Sequence, residues 1–275
     1  MIFSKYHIRK LKRDCNPRTR IMKIITWNLN HRAGRNKVLP EDMKKMSGAL
    51  ASLDADIVVL TEYVPDPKYD IQFQKDLKLS GFSEVMISDH YGPENDVHNR
   101  ILIASRMPMN EGAIKAPTDI IDGVPNNIFH VFIPDMGIGI LGLRMPLPME
   151  AGKKKDWWDW VTEVAEENRN HPFIILGDFN TDVSTRGPNG GKRFTKITDD
   201  GWQRVSPSGK SYWSQDLTTQ SRLDHALFTS HFLIKTAEYK IANKDFVFTK
   251  TPTTNTPEAM SDHAVLQIEF DLLKK

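Results

Sequence analysis

A carboxylate and a carboxamide stand two residues apart at the end of an apolar run, Phe173-Ile174-Ile175-Leu176-Gly177-Asp178-Phe179-Asn180. Alternation along an extended backbone sends Asp178 and Asn180 to one side and Phe179 to the other. A local Asx turn would also account for such a pair, so the other strand ends decide. Two more apolar runs stop at polar groups, one at Asn28 and one, Ile57-Val58-Val59-Leu60, at Thr61-Glu62. Two others begin with them, Asp224 ahead of Ala226-Leu227-Phe228 and Asp262-His263 ahead of Ala264 to Phe270. Glu62 and Asp262 offer hard oxygen ligands without a cysteine or histidine cluster, which suits Mg²⁺ or Mn²⁺ over Zn²⁺. His263, preceded by one aspartate and with Asp224 on another strand, has the surroundings that position and charge an imidazole. Asn28 and Asn180 are neutral donors that can hold phosphate oxygens without repelling a metal. Together these groups suit water attack on a phosphoester, with metal and imidazolium balancing the pentacovalent charge.

Such a site needs strand starts and strand ends on one rim, which a purely parallel sheet does not provide. The patterning supplies mixed directions. Met43, Met46, Ala49, Leu50 and Leu53 recur at helical spacing and predict a helix over 41–53. A short helix is expected around 71–79 and another over 153–168, with Trp157, Trp160, Val161, Val164 and Ala165 on its buried face. Trp158, at the edge of that face, is the candidate for stacking on bases, and Lys153-Lys154-Lys155 is expected to be a solvated helix start. Strands near 82–88, 99–104, 109–115, 128–133 and 138–143 follow one another with short breaks, which argues for antiparallel pairing. Residues 184–193 form an exposed loop rich in Gly, Pro and basic residues. His225 alternates away from Asp224 and reads as packing or surface, and His98, His130 and His171 have no evident partner.

The chain has 275 residues, 39% hydrophobic and 26% charged, which describes an ordinary globular protein with a sizeable core. Cys15 is its one cysteine, so an internal disulfide framework is excluded and a reducing, cytoplasmic location is expected. No apolar run suits a bilayer span, and no obligatory protein partner is evident. The net charge of +2 is uneven: residues 1–21 hold seven Lys/Arg against Asp14, leaving 30 basic against 34 acidic residues over 22–275. Residues 1–21 are read either as a basic arm for phosphates or localisation, or as sequence upstream of a start at Met22, the second being favoured. Residues 22–275 are expected to form a single domain.

The ordered set Trp27-Asn28-x-Asn30, Leu60-Thr61-Glu62, Gly177-Asp178-Phe179-Asn180, Ser221-Arg222-Leu223-Asp224 and Ser261-Asp262-His263 resembles the motifs of the endonuclease/exonuclease/phosphatase superfamily. The resemblance implies the DNase I-like fold, an α/β four-layer α/β/β/α sandwich of two mixed, mainly antiparallel sheets. It implies Glu62 as principal metal ligand with Asn28 beside it and Asp262 near the metal. It implies Asp178 as the group handling the water, Asn180 as a phosphate contact, and His263 with Asp224 as the family's Asp–His pair. Asn30 stands where some nuclease members carry an aspartate. The departure lies at Gly142-Leu143-Arg144-Met145-Pro146, where many members have a histidine or tyrosine. Arg144 can bind the scissile phosphate bidentately but does not act as a general acid at ordinary pH.

The function expected is divalent-metal-dependent hydrolysis of phosphodiester bonds by activated water, with a nucleic acid, DNA or RNA, as substrate. Tyr212-Trp213-Ser214 and the basic Arg186, Lys192 and Arg193 favour it, while the acidic body stands against binding by charge alone. The alternatives are a phosphoesterase for a small phosphoester or lipid headgroup and a non-catalytic binding module. The presence of every acid–base residue in the set argues against the last.

Overall fold

The computed structural model describes residues 21–30, 40–89, 99–115, 117, 125–147, 151–254, 256 and 258–273. Residues 1–20 of the basic arm over 1–21, and His98, lie outside them.

The chain runs β1 (Met22–Asn28), α1 (Pro40–Ser52), β2 (Ile57–Tyr63), α2 (Asp70–Leu79), β3 (Glu84–Ile87), β4 (Arg100–Ser105), β5 (Asn110–Glu111), β6 (Ile128–Ile133) and β7 (Ile138–Arg144). It continues through α3 (Ala151–Asn168), β8 (Phe173–Asp178), α4 (Lys192–Asp199), β9 (Gln203–Val205), the small hairpin β10 (Tyr212–Trp213) and β11 (Gln220–Ser221), β12 (Asp224–Phe228), β13 (Phe232–Lys240) and β14 (Val265–Leu272). Two six-stranded sheets form, in the orders β13-β14-β1-β2-β4-β3 and β5-β6-β7-β8-β12-β9. Each has one parallel pair at its centre, β1 with β2 and β7 with β8, and antiparallel pairs elsewhere. That arrangement answers the directional problem. Because β14 runs against β1 and β12 runs against β8, the starts of β14 and β12 share a rim with the ends of β1, β2, β7 and β8.

Alternation divides the apolar side chains into three cores. Ile24, Ile57, Val59, Ile101, Ile140, Ile174, Leu176, Ala226, Leu266 and Ile268 lie between the sheets. Ile25, Trp27, Val58, Leu60 and Leu102 face outward under α1 and α2. Leu141, Leu143, Ile175 and Leu227 face outward under α3 and α4. Four layers, α/β/β/α, result, each large side chain contributing about 1.5–3 kcal/mol by leaving water. At the rim the sheets approach closely: a Cβ at Gly142 would sit 2.9 Å from both Ile101 and Val59.

Three expectations change. The strand over 109–115 shrinks to the two residues of β5. Residues 192–199 form α4, whose buried Phe194 and Ile197, three apart, make too short an apolar stripe to announce a helix in sequence. Trp158 is not a stacking surface: it is fully buried, with its ring centroid 4.9 Å from Phe194 and 5.8 Å from Phe179. It is Trp160 that is partly exposed. Trp158→Ala is expected to lower the free energy of unfolding by about 3–5 kcal/mol in denaturant titration, whereas Trp160→Ala should cost well under half of that.

Candidate active site

The rim collects side chains by parity. Asn28 continues the inter-sheet face of Ile24, Asp178 that of Ile174 and Leu176, Arg144 that of Ile138 and Ile140, and Asp224 that of Ala226 and Phe228. Register aligns them further, with Arg144 opposite Asp178 on β7 and β8 and Asp224 opposite Asp178 on β12 and β8.

Glu62 reaches the same place by a different device. Simple alternation from Leu60 would send it to the helix side. Between Leu60 and Tyr63, β2 carries two residues against one on β4, a bulge, and Glu62 sits at φ +54°. The bulge turns its carboxylate between the sheets and returns Tyr63 to the helix side, where it stacks on Phe73 and its hydroxyl donates to Asp70. A non-glycine residue in the left-handed region costs about 1–3 kcal/mol. Asn30 at φ +52° and Asn180 at φ +47° repeat that conformation at the ends of β1 and β8.

Three polar pairs then cross from one sheet to the other. Asn28 Nδ2 donates to Asp178 Oδ2 at 3.0 Å. Arg144 Nε donates to Glu62 Oε1 at 2.7 Å. His263 Nδ1 lies 2.8 Å from Asp224 Oδ2, leaving Nε2 3.9 Å from Asp262 Oδ1. Asn28 Nδ2 also approaches Glu62 Oε1 at 3.3 Å, which joins the first two pairs. All eight residues singled out in the sequence, Asn28, Glu62, Arg144, Asp178, Asn180, Asp224, Asp262 and His263, therefore belong to one rim.

Backbone and hydroxyl contacts hold the set. Ser261 Oγ donates to Asn28 O at 2.7 Å and accepts the His263 N–H at 3.0 Å, and Trp27 Nε1 donates to His263 O at 2.9 Å. Ser211 Oγ accepts the N–H groups of Leu223 and Asp224 at 2.9 and 3.1 Å. The Tyr212 ring lies 5.0 Å from the imidazole of His263. Asp178 Oδ1 accepts the Asn180 N–H at 2.8 Å, so the Asx turn is present as well as the cross-sheet bond. The residue before Asp178 has to be a glycine: Gly177 sits at φ +144°, and a Cβ there would fall 1.9 Å from Leu143 O.

The charges are buried and mutually adjusted. Burial pulls the His263 imidazole toward the neutral form, but the carboxylates of Asp224, Asp178 and Asp262 outweigh it and raise its pKa well above the ordinary value. Burial and neighbouring Asp224 raise the carboxyl of Asp178, against the opposing pull of His263, Arg144 and the Asn180 N–H. The surrounding carboxyl groups thus favour the charged, imidazolium form of His263 over the neutral one.

Two residues essential to this geometry hide among ordinary-looking ones. Lys154 belongs to a run that reads as solvated, yet it is 3% exposed and its ammonium donates to the Asn180 carbonyl. Burial lowers its pKa to about 8, with Asp178 opposing that shift. A cation in the first turn of a helix also meets the positive end of the dipole, so its position is doubly unfavourable locally. The sequence does carry a signal: Lys154 stands three, four and seven residues before Trp157, Trp158 and Val161, on the buried stripe. Asp182 is the second. Its Oδ2 accepts the Arg222 N–H at 2.8 Å and its Oδ1 accepts the N–H and hydroxyl of Ser184 at 2.9 and 2.7 Å, tying the loop after Asn180 to the strand that carries Asp224. His225 supports the same junction, with Nε2 2.9 Å from both Thr181 O and Arg222 O.

Burial pushes the Asp182 carboxyl up, but the Ser184 and Arg222 N–H groups, the Ser184 hydroxyl and the Arg222 guanidinium prevail and hold it at about 2. A carboxyl depressed by folding stabilises above its unfolded value, and the contribution disappears as pH falls toward the folded one. Asp182 is thus expected to supply about 2 kcal/mol that is lost between roughly pH 4 and pH 2. Asp182→Asn should flatten the acid limb of stability against pH by that amount, and an unchanged limb would contradict the tether.

Comparison with known proteins agrees with this architecture. The Endonuclease/Exonuclease/phosphatase family model matches residues 25–263. Comparison with curated proteins found no match. Among solved structures, an endonuclease/exonuclease/phosphatase from Beutenbergia cavernae superposes with a TM-score of 0.67 at 15% identity, covering 92% of this chain and 72% of that one. A variant of the 3′ phosphatase NExo from Neisseria, bound to product DNA hairpin, gives 0.65 at 21% identity over 91% and 99% of the two chains. D. rerio TDP2 complexed with single strand DNA product gives 0.62 at 13% over 91% and 99%. At these identities the likeness is one of fold, and the family match carries the assignment: the chain belongs to the endonuclease/exonuclease/phosphatase family, with the DNase I-like fold.

Proposed function

We propose that the protein is a divalent-metal-dependent phosphodiesterase acting on nucleic acid, hydrolysing the diester with an activated water. The observation that carries the proposal is the meeting, between two sheets, of the Asp224–His263 pair with Asp178 and with a second carboxylate, Glu62, 7% exposed. The donor set fits a hard divalent ion. Glu62 Oε1 is engaged by Arg144 and Asn28, while Oε2 accepts no hydrogen bond among the described residues. No group of three or more His, Cys, Asp or Glu able to hold a metal occurs among the described residues. A site built on one or two carboxylates, completed by water and phosphate oxygens, is the habit of Mg²⁺ rather than of Zn²⁺. Glu62 would hold the ion, with Asn28 beside it and Asp262 near. When bound, the ion supplies charge neutralisation on the phosphate and on the leaving oxygen.

The remaining work falls to the chain's own groups. Asp178, raised by its surroundings, takes the proton of the attacking water and is oriented by Asn28 Nδ2 and the Asn180 N–H. Asn180 is held on three sides, by Lys154 on its carbonyl, Met145 O on its amide and Asp178 on its N–H. It therefore presents a fixed dipole to a phosphate oxygen. His263, its Nδ1 on Asp224, offers Nε2–H to the developing charge. Arg144 grips the phosphate but donates no proton to the leaving group.

A polymer substrate is favoured by the loop that follows Asn180. Arg186, Lys192 and Arg204 line an open cavity of about 630 Å³ together with Val183 and Gly191. This gives an otherwise acidic body a local cationic surface for backbone phosphates. Arg193 is not part of that surface, since it is engaged by Asp159 and Pro188 O. The DNA-bound structures of like fold add support. The same reading takes residues 22–275 as one domain. No helix among the described residues is long and apolar enough to cross a membrane.

The test is a panel of supercoiled DNA, single-stranded DNA, RNA, abasic duplex and a bis-aryl phosphodiester, each with Mg²⁺, Mn²⁺ or chelator. Cleavage should vanish with chelator, and Asp178→Asn and His263→Ala should each lose at least ~10²-fold. Wild-type rates in either variant would remove the site assignment. Activity confined to the bis-aryl diester would move the substrate to a small phosphoester.

A further inference from the structure

The Arg144–Glu62 pair does more than position a phosphate contact. The two side chains come from opposite sheets, are 21% and 10% exposed, and meet Nε to Oε1 at 2.7 Å. Little water screens them, so the guanidinium is the established counter-charge of Glu62 in the free protein. Asn28 Nδ2 reaches the same oxygen at 3.3 Å. A divalent ion that bound Glu62 would therefore approach a carboxylate already neutralised, with a like charge in direct contact with it. An arginine also has a second anion for which its planar fork is well matched, a phosphate, which it can bind through two parallel N–H groups. The Arg144 bond to Glu62 runs through Nε, so a phosphate gripped side-on, by Nε and one terminal N–H, takes the donor that Glu62 holds, while the guanidinium and the metal compete for the charge of one carboxylate.

We propose, resting on the metal-binding reading above, that Arg144 is a resident counter-cation that weakens metal binding at Glu62 until a phosphate draws the guanidinium away. Metal and phosphate then bind synergistically, each removing the partner that opposes the other, and the coupling is reciprocal by linkage. The consequence is that metal affinity and turnover respond oppositely to loss of Arg144. An arginine that served solely as a phosphate grip would leave metal affinity untouched. One that helped assemble the metal site would lower that affinity when removed.

The measurement is Mn²⁺ binding by isothermal titration to metal-free protein without substrate, for wild type, Arg144→Met and Glu62→Gln. Arg144→Gln is included because it keeps a donor for Glu62 while removing the charge, should the methionine variant fold poorly. Mn²⁺ should bind both Arg144 variants about tenfold more tightly than wild type, about 1.4 kcal/mol. Their cleavage rates should fall over the same pair of substitutions. Adding inorganic phosphate should tighten Mn²⁺ binding by a larger factor in wild type than in either variant. Equal or weaker Mn²⁺ binding in folded Arg144 variants overturns the proposal and leaves the metal site standing. Undiminished Mn²⁺ binding by Glu62→Gln overturns the metal reading itself and the proposal with it.

Discussion

The sandwich is held at its functional rim by polar bonds that pass from sheet to sheet. Asn28 to Asp178, Glu62 to Arg144 and Asp224 to His263 each take one partner from either sheet. Elsewhere the sheets meet mainly through apolar side chains, aliphatic and aromatic, whose attraction is largely non-directional and tolerates small slides. Charged and amide groups buried at the rim do not tolerate them, because a donor or acceptor displaced from its partner there is left desolvated and unpaired. The rim therefore fixes the relation of the sheets to within hydrogen-bond tolerance, and that relation is also the geometry of the site.

Such a rim is costly to build. Glu62, Asn30 and Asn180 occupy the left-handed region, a lysine is buried in the first turn of α3, and an imidazole sits among three carboxyl groups. Each feature is locally unfavourable, and each is over-determined by surrounding packing. Trp158, Phe179 and Phe194 form an aromatic wall behind Asn180, while Phe73 stacks on Tyr63, the residue after Glu62. Conflict between local preference and tertiary demand is expected where structure serves chemistry.

The legible parts of the molecule are those governed by periodicity. The long helices fall within two residues of their expected bounds at either end, since stripes such as Met43, Met46, Leu50 and Leu53 are strong signals. Short α4 is invisible because eight residues with two buried ones make no stripe. Lys154 and Trp158 are misread for related reasons. A triple lysine reads as solvated, although Lys154 within it faces the core, and a tryptophan at the edge of a stripe becomes central once a second helix packs over it.

Parity by itself determines where Asn28, Arg144, Asp178 and Asp224 lie. Side chains of one strand alternate strictly, so each of these residues has to follow its own apolar neighbours into the space between the sheets. The ordered motifs likewise carry the family and its fold. Glu62 and His263 are beyond that reasoning. Glu62 faces the cleft because a bulge opposite Ile101 reverses its direction, and His263 because Ser261, Trp27 and Tyr212 fix an irregular entry to β14. Lys154 joins them only when α3 docks on its sheet. Local periodicity is written in neighbouring residues, whereas a bulge or a buried cation depends on partners dozens of positions away, and those meet only in the folded chain.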